Sequence, residues 1–290
     1  EYLKNRGYYE ELLMISKLGK KASNELGNFA SKAKFSQMQA SVYKYTENFK
    51  ESLELFQECL DYYEETNNKP MIARMVMQIG IISEHKAIES DKISTNSSEW
   101  RVLLENALLQ YEKSLEIFNE NNSINQSKNI GQITHLIGRV HQNLRNYALA
   151  ESYLQKAIKI KSVNNELEEE VAISQYQYAS LLHEKGKYSK AYLLFNEALS
   201  KRTENKNVKQ IANCKQLFGY FLYEKGEREK AIIMLMDAAE GFKYLGRRHK
   251  YEKTINWLQK RECLDQILNQ IQITQEKIID NILHTFTFDE

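Results

Sequence analysis

At 290 residues, with 42% hydrophobic side chains, the chain can bury a substantial core. Forty Lys and Arg against 39 Asp and Glu leave a net charge of +1, which removes any global electrostatic drive toward nucleic acid or an anionic membrane surface. Eleven Gly and a single Pro, Pro70, are too few to punctuate a strand-rich fold, and the composition is that of a long run of helices.

In chain order, residues 2–28 (YLKNRGYYEELLMISKLGKKASNELGN) read as the tail of a helix, a Gly turn and a second helix, so that 1–32 forms a partial repeat or N-terminal hairpin. The first residue is Glu rather than Met, and the chain reads as a segment of something longer. A spaced set of small and large residues then begins with Ala40, Ser52, Phe56 and Cys59. Its second copy is split into a first half with Gly80 and a second half with Ala107, Tyr111 and Ser114, with an insertion near 86–100 between them. The third copy has Gly138, Ala150, Leu154 and Ala157; the fourth Ala179, Ala191, Phe195 and Ala198; the fifth Gly219, Ala231, Leu235 and Ala238. Equivalent alanines, Ala191 and Ala231, stand 40 residues apart, so 33–246 holds about five repeats.

Each copy predicts two helices. Ala191, Leu194, Phe195, Ala198 and Leu199 follow the i, i+3, i+4, i+7, i+8 spacing of one helical face. The preceding turns hold Gly186 and Gly226, which can take the positive φ that closes a helix. Small residues let antiparallel helices approach closely, and the large residue fills the space beside them. After Gly246, residues 247–290 read as C-terminal helices and a tail, with an apolar stripe that includes Leu258, Leu264, Ile267, Leu268, Ile271, Ile278 and Ile282. The stripe suits capping helices over the last repeat, with an interface for a homo-oligomer or partner as the alternative.

The small-aromatic-small pattern around a helical hairpin resembles the tetratricopeptide repeat. The resemblance rests on Ala40, Tyr43, Phe49, Ser52, Phe56 and Cys59 in the first copy and on their counterparts in the later ones. It implies an all-α, right-handed superhelix of antiparallel hairpins with a C-terminal capping helix. Two departures stand out: the family's large apolar residue early in the first helix is replaced by Thr134, Gln175 and Lys215, and its Pro at the end of each repeat is missing. The period resembles the extended repeats of kinesin light chains and bacterial regulatory proteins. Residues 2–28 also resemble the entry into the repeat array of bacterial NB-ARC or STAND signalling NTPases.

Catalytic motifs are wanting. Gly186-Lys187 lacks the upstream Gly and the preceding strand of a phosphate loop, and Tyr188 comes before Ser189. His183-Glu184 begins like a zinc-protease helix but has no second His in register, and His135 and His141 lie on different sides of one predicted helix. Cys59, Cys214 and Cys263 are odd in number and far apart, which argues against a disulfide framework or zinc site and for a reduced, cytoplasmic setting. No run is long and apolar enough to span a bilayer, and Arg247-Arg248-His249-Lys250 is read as solvated surface. No cofactor is expected, and the segment is not expected to be an enzyme, although a catalytic domain could be attached to it.

By resemblance, the first helices of the repeats line a concave groove that takes a protein or peptide ligand. The positions this selects are Lys44, Arg74, Met77, His135, Arg139, Gln142, Tyr176, Ser180, His183, Gln216, Tyr220 and Tyr223, together with Gln37, Ser41 and Glu84. The set is polar and aromatic, with Arg139 as the expected anchor for a carboxylate. The Lys, Asn and Arg set of a two-carboxylate clamp is not intact. The resemblance thus implies a non-catalytic binding scaffold, the sensor region of a multidomain bacterial signalling protein; the repeat portion of a CHAT-type protease and a peptide-sensing transcriptional regulator are the alternatives. Membrane partners are not expected and nucleic acid is disfavoured.

Overall fold

The computed structural model describes residues 9–93, 98–120, 126–163, 167–204 and 208–261. Within them the chain is all α, a series of antiparallel hairpins with no strand. The helices are α1 (Tyr9–Glu25), α2 (Phe29–Tyr45), α3 (Phe49–Glu65), α4 (Lys69–Ile93), α5 (Glu99–Glu120), α6 (Ser127–Asn143), α7 (Tyr147–Ser162), α8 (Glu168–Glu184), α9 (Tyr188–Glu204), α10 (Val208–Glu224), α11 (Arg228–Tyr244) and α12 (Arg248–Gln259). Two compact units form, α1–α9 in the first and α10–α12 in the second, and the division at residue 205 falls inside the stretch that the sequence presents as one array.

The metre is simple. Helices α2, α3 and α4 begin at Phe29, Phe49 and Lys69, and α10, α11 and α12 at Val208, Arg228 and Arg248, so each step takes 20 residues and a repeat takes 40. Among the described residues, seven three-residue turns join helices, each with one residue at positive φ. At Gly186 (φ +72°) the Gly186 N–H donates to the His183 carbonyl at 2.9 Å and the Lys187 N–H to the Leu182 carbonyl at 2.8 Å, the paired bonds that satisfy a helix's last carbonyls. Lys187 Nζ lies 3.8 Å from Glu151, so the Gly-Lys pair is a turn with a tethered side chain. Asn28 caps α2 by accepting from the Ser31 N–H at 3.0 Å, and Pro70 sits in the first turn of α4, where its missing N–H costs no helical bond.

Hairpins close where small meets large. A Cβ added to Gly80 would lie 2.8 Å from the Tyr111 ring, one on Gly138 2.9 Å from Leu154, and one on Gly219 2.6 Å from Leu235. Ala40, Ala179, Phe56 and Phe195 are buried at the equivalent positions. The cores of α1–α9 gather around Phe56 and Tyr63 and around Tyr111, Phe118 and Ile137. In α10–α12 they form around Leu235 and Leu258 and around Phe242.

The departures from the repeat pattern have structural counterparts. Gln175 donates to Glu197 at 2.8 Å and Lys215 to Asp237 at 2.7 Å, each bridging the two helices of its hairpin over the same 22-residue separation. Thr134 instead bonds back to the Ile130 carbonyl at 2.7 Å. Cys59 and Cys214 are buried and form no disulfide, and burial pushes the Cys59 thiol up to about 12. The insertion near 86–100 lengthens α4 to 25 residues and α5 to 22, against 17 for α2 and α3. Of the 247–290 segment, α12 packs on α11 as a cap, with Leu258 fully buried; the stripe from Leu264 to Ile282 and Cys263 lie outside the described residues. In the basic run, Arg248 pairs with Glu252 at 2.7 Å and Lys250 donates to Asn213 while lying over the Phe242 ring.

Candidate functional site

The residues selected on the first helices fall in both compact units. Nine belong to the α1–α9 unit; Gln216, Tyr220 and Tyr223 belong to the α10–α12 unit. In the latter, Gln216 donates to Thr254 at 2.6 Å, and the rings of Tyr220 and Tyr223 lie 4.8 and 4.9 Å from Trp257, so α12 covers all three.

In the α1–α9 unit, helices one repeat apart bring like faces together. The expectation of exposed groove side chains fails at Lys44, Met77, His135 and Gln142, which are all buried. Lys44 donates to Gln78 on α4. Gln142 on α6 reaches across to α8, donating to Ser180 at 3.4 Å and to Glu184, and accepting from Gln177 at 2.8 Å. These bonds lock neighbouring repeats together through the face that was expected to hold a ligand.

Arg139 binds a carboxylate, but one of this chain's own. Its Nε lies 2.5 Å from Glu84 Oε1 and an Nη 2.7 Å from Oε2, a two-pronged pair between α6 and α4. The Tyr111 hydroxyl on α5 donates to Glu84 Oε2 at 2.8 Å, so the fully buried carboxylate has three donors. Burial alone would push the Arg139 guanidinium down; the charge and hydrogen bonds of Glu84, helped by Tyr111, outweigh it and hold the group above its ordinary value. Burial and the same carboxylate push the Tyr111 phenol well up. The anchor expected at Arg139 is therefore occupied, and the reason is the cost of leaving Glu84 buried without a partner.

What stays open on this face is a smaller set. Arg74 is exposed, and Tyr176, Ser180 and His183 are partly buried, with Tyr176 held edge-on to Phe195 at 5.8 Å and His183 5.6 Å from the Tyr188 ring. Gln37 and Ser41 are likewise partly buried on α2. The set offers a cation, hydroxyls, an imidazole and an aromatic face, which is chemistry for holding a chain by hydrogen bonds and stacking. Among the described residues, no group of three or more His, Cys, Asp and Glu is placed to hold a metal ion, and no helix is long and apolar enough to cross a membrane.

The selection from sequence missed Gln78, Gln177 and Glu184 on these helices and Thr254 and Trp257 on α12. A signal for them exists: Gln142 lies 38 residues before Ser180 and 42 before Glu184, about one repeat along the same face.

Sequence models of the tetratricopeptide repeat match residues 40–70 and 129–204. No curated protein matches the chain. Among solved structures it is similar to a Rap protein complexed with competence and sporulation factor, at 16% identity and TM-score 0.62 over 91% of this chain and 74% of that one. It is also similar to aspartyl phosphate phosphatase F from Bacillus subtilis, at 11% identity and TM-score 0.60 over 92% and 67%. A third is PlcR from Bacillus thuringiensis in complex with the peptide PapR7 and DNA, at 14% identity and TM-score 0.57 over 78% and 74%. At these identities the likeness shows the fold. The chain carries tetratricopeptide repeats on an all-α framework of stacked helical hairpins.

Proposed function

We propose that the chain is a non-catalytic scaffold that binds a peptide or an extended protein segment along the first helices of the α1–α9 unit, and that it serves as the ligand-sensing region of a multidomain bacterial signalling protein of the STAND type. The observation that carries the binding reading is the division of labour on that face. Lys44, Arg139 and Gln142 are committed to neighbouring helices and fix the wall, while Arg74, Tyr176, Ser180 and His183 stay accessible on it. A rigid wall with a few accessible polar and aromatic groups lowers the ordering cost of capturing a flexible chain.

A second reading, a peptide-sensing transcriptional regulator, is favoured by one observation: among the similar folds, PlcR was solved with the peptide PapR7 and DNA, and the Rap protein with competence and sporulation factor. Both readings place a peptide on the repeats. They part at the flanking domain, which the full-length gene would reveal: an upstream phosphate-loop NTPase supports the first reading, a short DNA-binding helix pair the second.

The binding reading is tested by panning the immobilised chain against a random peptide library and repeating the selection with Arg74→Ala/Tyr176→Ala/His183→Ala. The expected outcome is a recovered consensus that the triple variant no longer captures, with far-UV helicity unchanged. Undiminished capture by the variant would move binding off this face.

A further inference from the structure

Ile88, Trp100, Arg101 and Leu104 flank the interruption of the 40-residue metre and line one side of a cleft. In register, α4 would end near His85 and α5 begin at Leu104; instead α4 runs to Ile93 and α5 starts at Glu99. The base of this lengthened hairpin and the turn after α6 enclose a cleft of about 500 Å³. Its apolar wall is Ile88, Trp100 and Leu104, with Ile88 45% exposed to solvent. Its polar wall is Arg101, Asn143 and Arg145.

Three features give the cleft a sign and a shape. Among the described residues, neither Arg101 nor Arg145 has a carboxylate within ion-pair distance. Glu184, which feels the Arg145 charge, is hydrogen-bonded to Gln142. Asn143 Nδ2 is a buried donor with no hydrogen-bond partner, an arrangement that costs stability unless something accepts from it. Arg101 lies 5.9 Å from the Trp100 ring, so cation and aromatic surface adjoin. Two cations and an unsatisfied amide donor beside an apolar wall complement an anion attached to a hydrophobic body, and the volume falls within the roughly 300–1,000 Å³ of small-ligand sites.

We propose that this cleft binds a carboxylate carried on a short apolar body, with a peptide's C-terminal residue as its source. Arg101, Arg145 and Asn143 Nδ2 take the carboxylate, and Trp100, Ile88 and Leu104 take the side chain. The cleft shares no residue with the face assigned above to an extended segment, and the proposal stands or falls independently of that reading.

The test uses the intact chain and tryptophan fluorescence, with Trp100→Phe to assign the signal. The probes are N-acetyl-Leu-Phe with a free carboxylate, the same dipeptide amidated, and 3-phenylpropionate. The free dipeptide is expected to give saturable quenching, lost in Trp100→Phe, and the amide to bind about tenfold more weakly or worse. Arg101→Gln/Arg145→Gly is expected to weaken the free dipeptide by at least about tenfold while keeping the fold, since Arg101 is on exposed helix surface and Arg145 has φ +61°, a conformation glycine adopts freely. Equal binding of acid and amide, unchanged binding by the double variant, or no saturable binding up to millimolar dipeptide would each overturn the proposal. Binding of 3-phenylpropionate as tight as that of the dipeptide would overturn the peptide source. Arg74→Ala/Tyr176→Ala/His183→Ala should bind these probes as the parent chain does, so failure of the extended-segment reading leaves this result intact.

Discussion

Seven of the turns among the described residues close on a residue with positive φ, and glycine fills four of those places, Gly27, Gly186, Gly226 and Gly246; Glu47, Asn67 and Arg145 fill the rest. A side chain with a Cβ loses roughly 1–2 kcal/mol in this region, and Asn loses least. Nothing lies within 4 Å of a Cβ added at Gly186, so Gly186→Ala isolates the backbone cost. It should destabilise the chain by about 1 kcal/mol in urea unfolding. Glu47→Gly should stabilise by up to about 1 kcal/mol, less whatever the more flexible unfolded chain takes back. Burial also sets a pH dependence. Among the described residues, buried Lys161 has only the Glu170 carbonyl (3.2 Å) and Ser174 Oγ (2.9 Å) as acceptors, while the Glu170 carboxylate pairs with Lys128 at 2.8 Å. Desolvation, opposed by Glu170, pushes its ammonium down to about 8. Below pH 8 both the folded and the unfolded chain carry this proton, and folding buries a charge. Between pH 8 and the ordinary lysine range the folded chain releases it first, so stability rises with pH across that window. Lys161→Met should flatten that rise and stabilise the chain at pH 7; a slope unchanged by the substitution would place the titration elsewhere, with Lys250, also lowered to about 8 by burial, the next group to test.

The helices and their pairing are legible from sequence because both are local. A 3.6-residue period marks the buried stripe, and the match of Gly80 with Tyr111, Gly138 with Leu154 and Gly219 with Leu235 repeats a size complementarity visible in every copy. Gly219 shows how tight the fit is: an added Cβ would meet Leu235 at 2.6 Å and the Ala231 carbonyl oxygen at 3.1 Å, and a backbone atom does not yield. Gly219→Ala should therefore destabilise by about 1–3 kcal/mol. The bonds between repeats are harder to find. Arg139 and Glu84 are 55 residues apart, one 40-residue repeat plus the insertion of about 15, so the insertion hides a pair that a strict period would have suggested. Without that pairing, Arg139 looks from sequence like an open cation on a groove face. Its removal should be costly for a structural reason: Arg139→Ala leaves Glu84 buried with, among the described residues, the Tyr111 hydroxyl as its only remaining side-chain donor, and should cost about 3–5 kcal/mol. Glu84→Leu/Arg139→Met should cost clearly less than Arg139→Ala, because removing both charges removes the desolvation penalty with them. A double variant as unstable as the single one would mean that the pair matters through its shape rather than its charge.

Within each unit, extensive packing joins helices next to one another in the chain, with α6 and α8 as a further pair one hairpin apart. Stability in such an array is a sum of hairpin terms and nearest-neighbour terms rather than the property of one central core. The many small clusters around Phe56, Tyr111, Leu154, Leu235 and Phe242 follow from this, since no side chain can reach beyond the adjacent hairpin. The same arithmetic says how damage spreads. A strain at Gly219 loosens α10 against α11 and, through Gln216 and Thr254, the grip on α12. Helices α2 and α3 keep all their own terms: the Ser52 hydroxyl to the Ala40 carbonyl at 2.8 Å, the Cys59 thiol to the Ala33 carbonyl at 3.4 Å, and the packing around Phe56. Hydrogen exchange on Gly219→Ala should therefore show faster amide exchange in α10–α12 and near-parental protection in α2–α4, by the local opening that a string of nearest-neighbour contacts permits. Equal loss of protection in both regions would show that the array opens as one cooperative body and that nearest-neighbour bookkeeping fails for this chain.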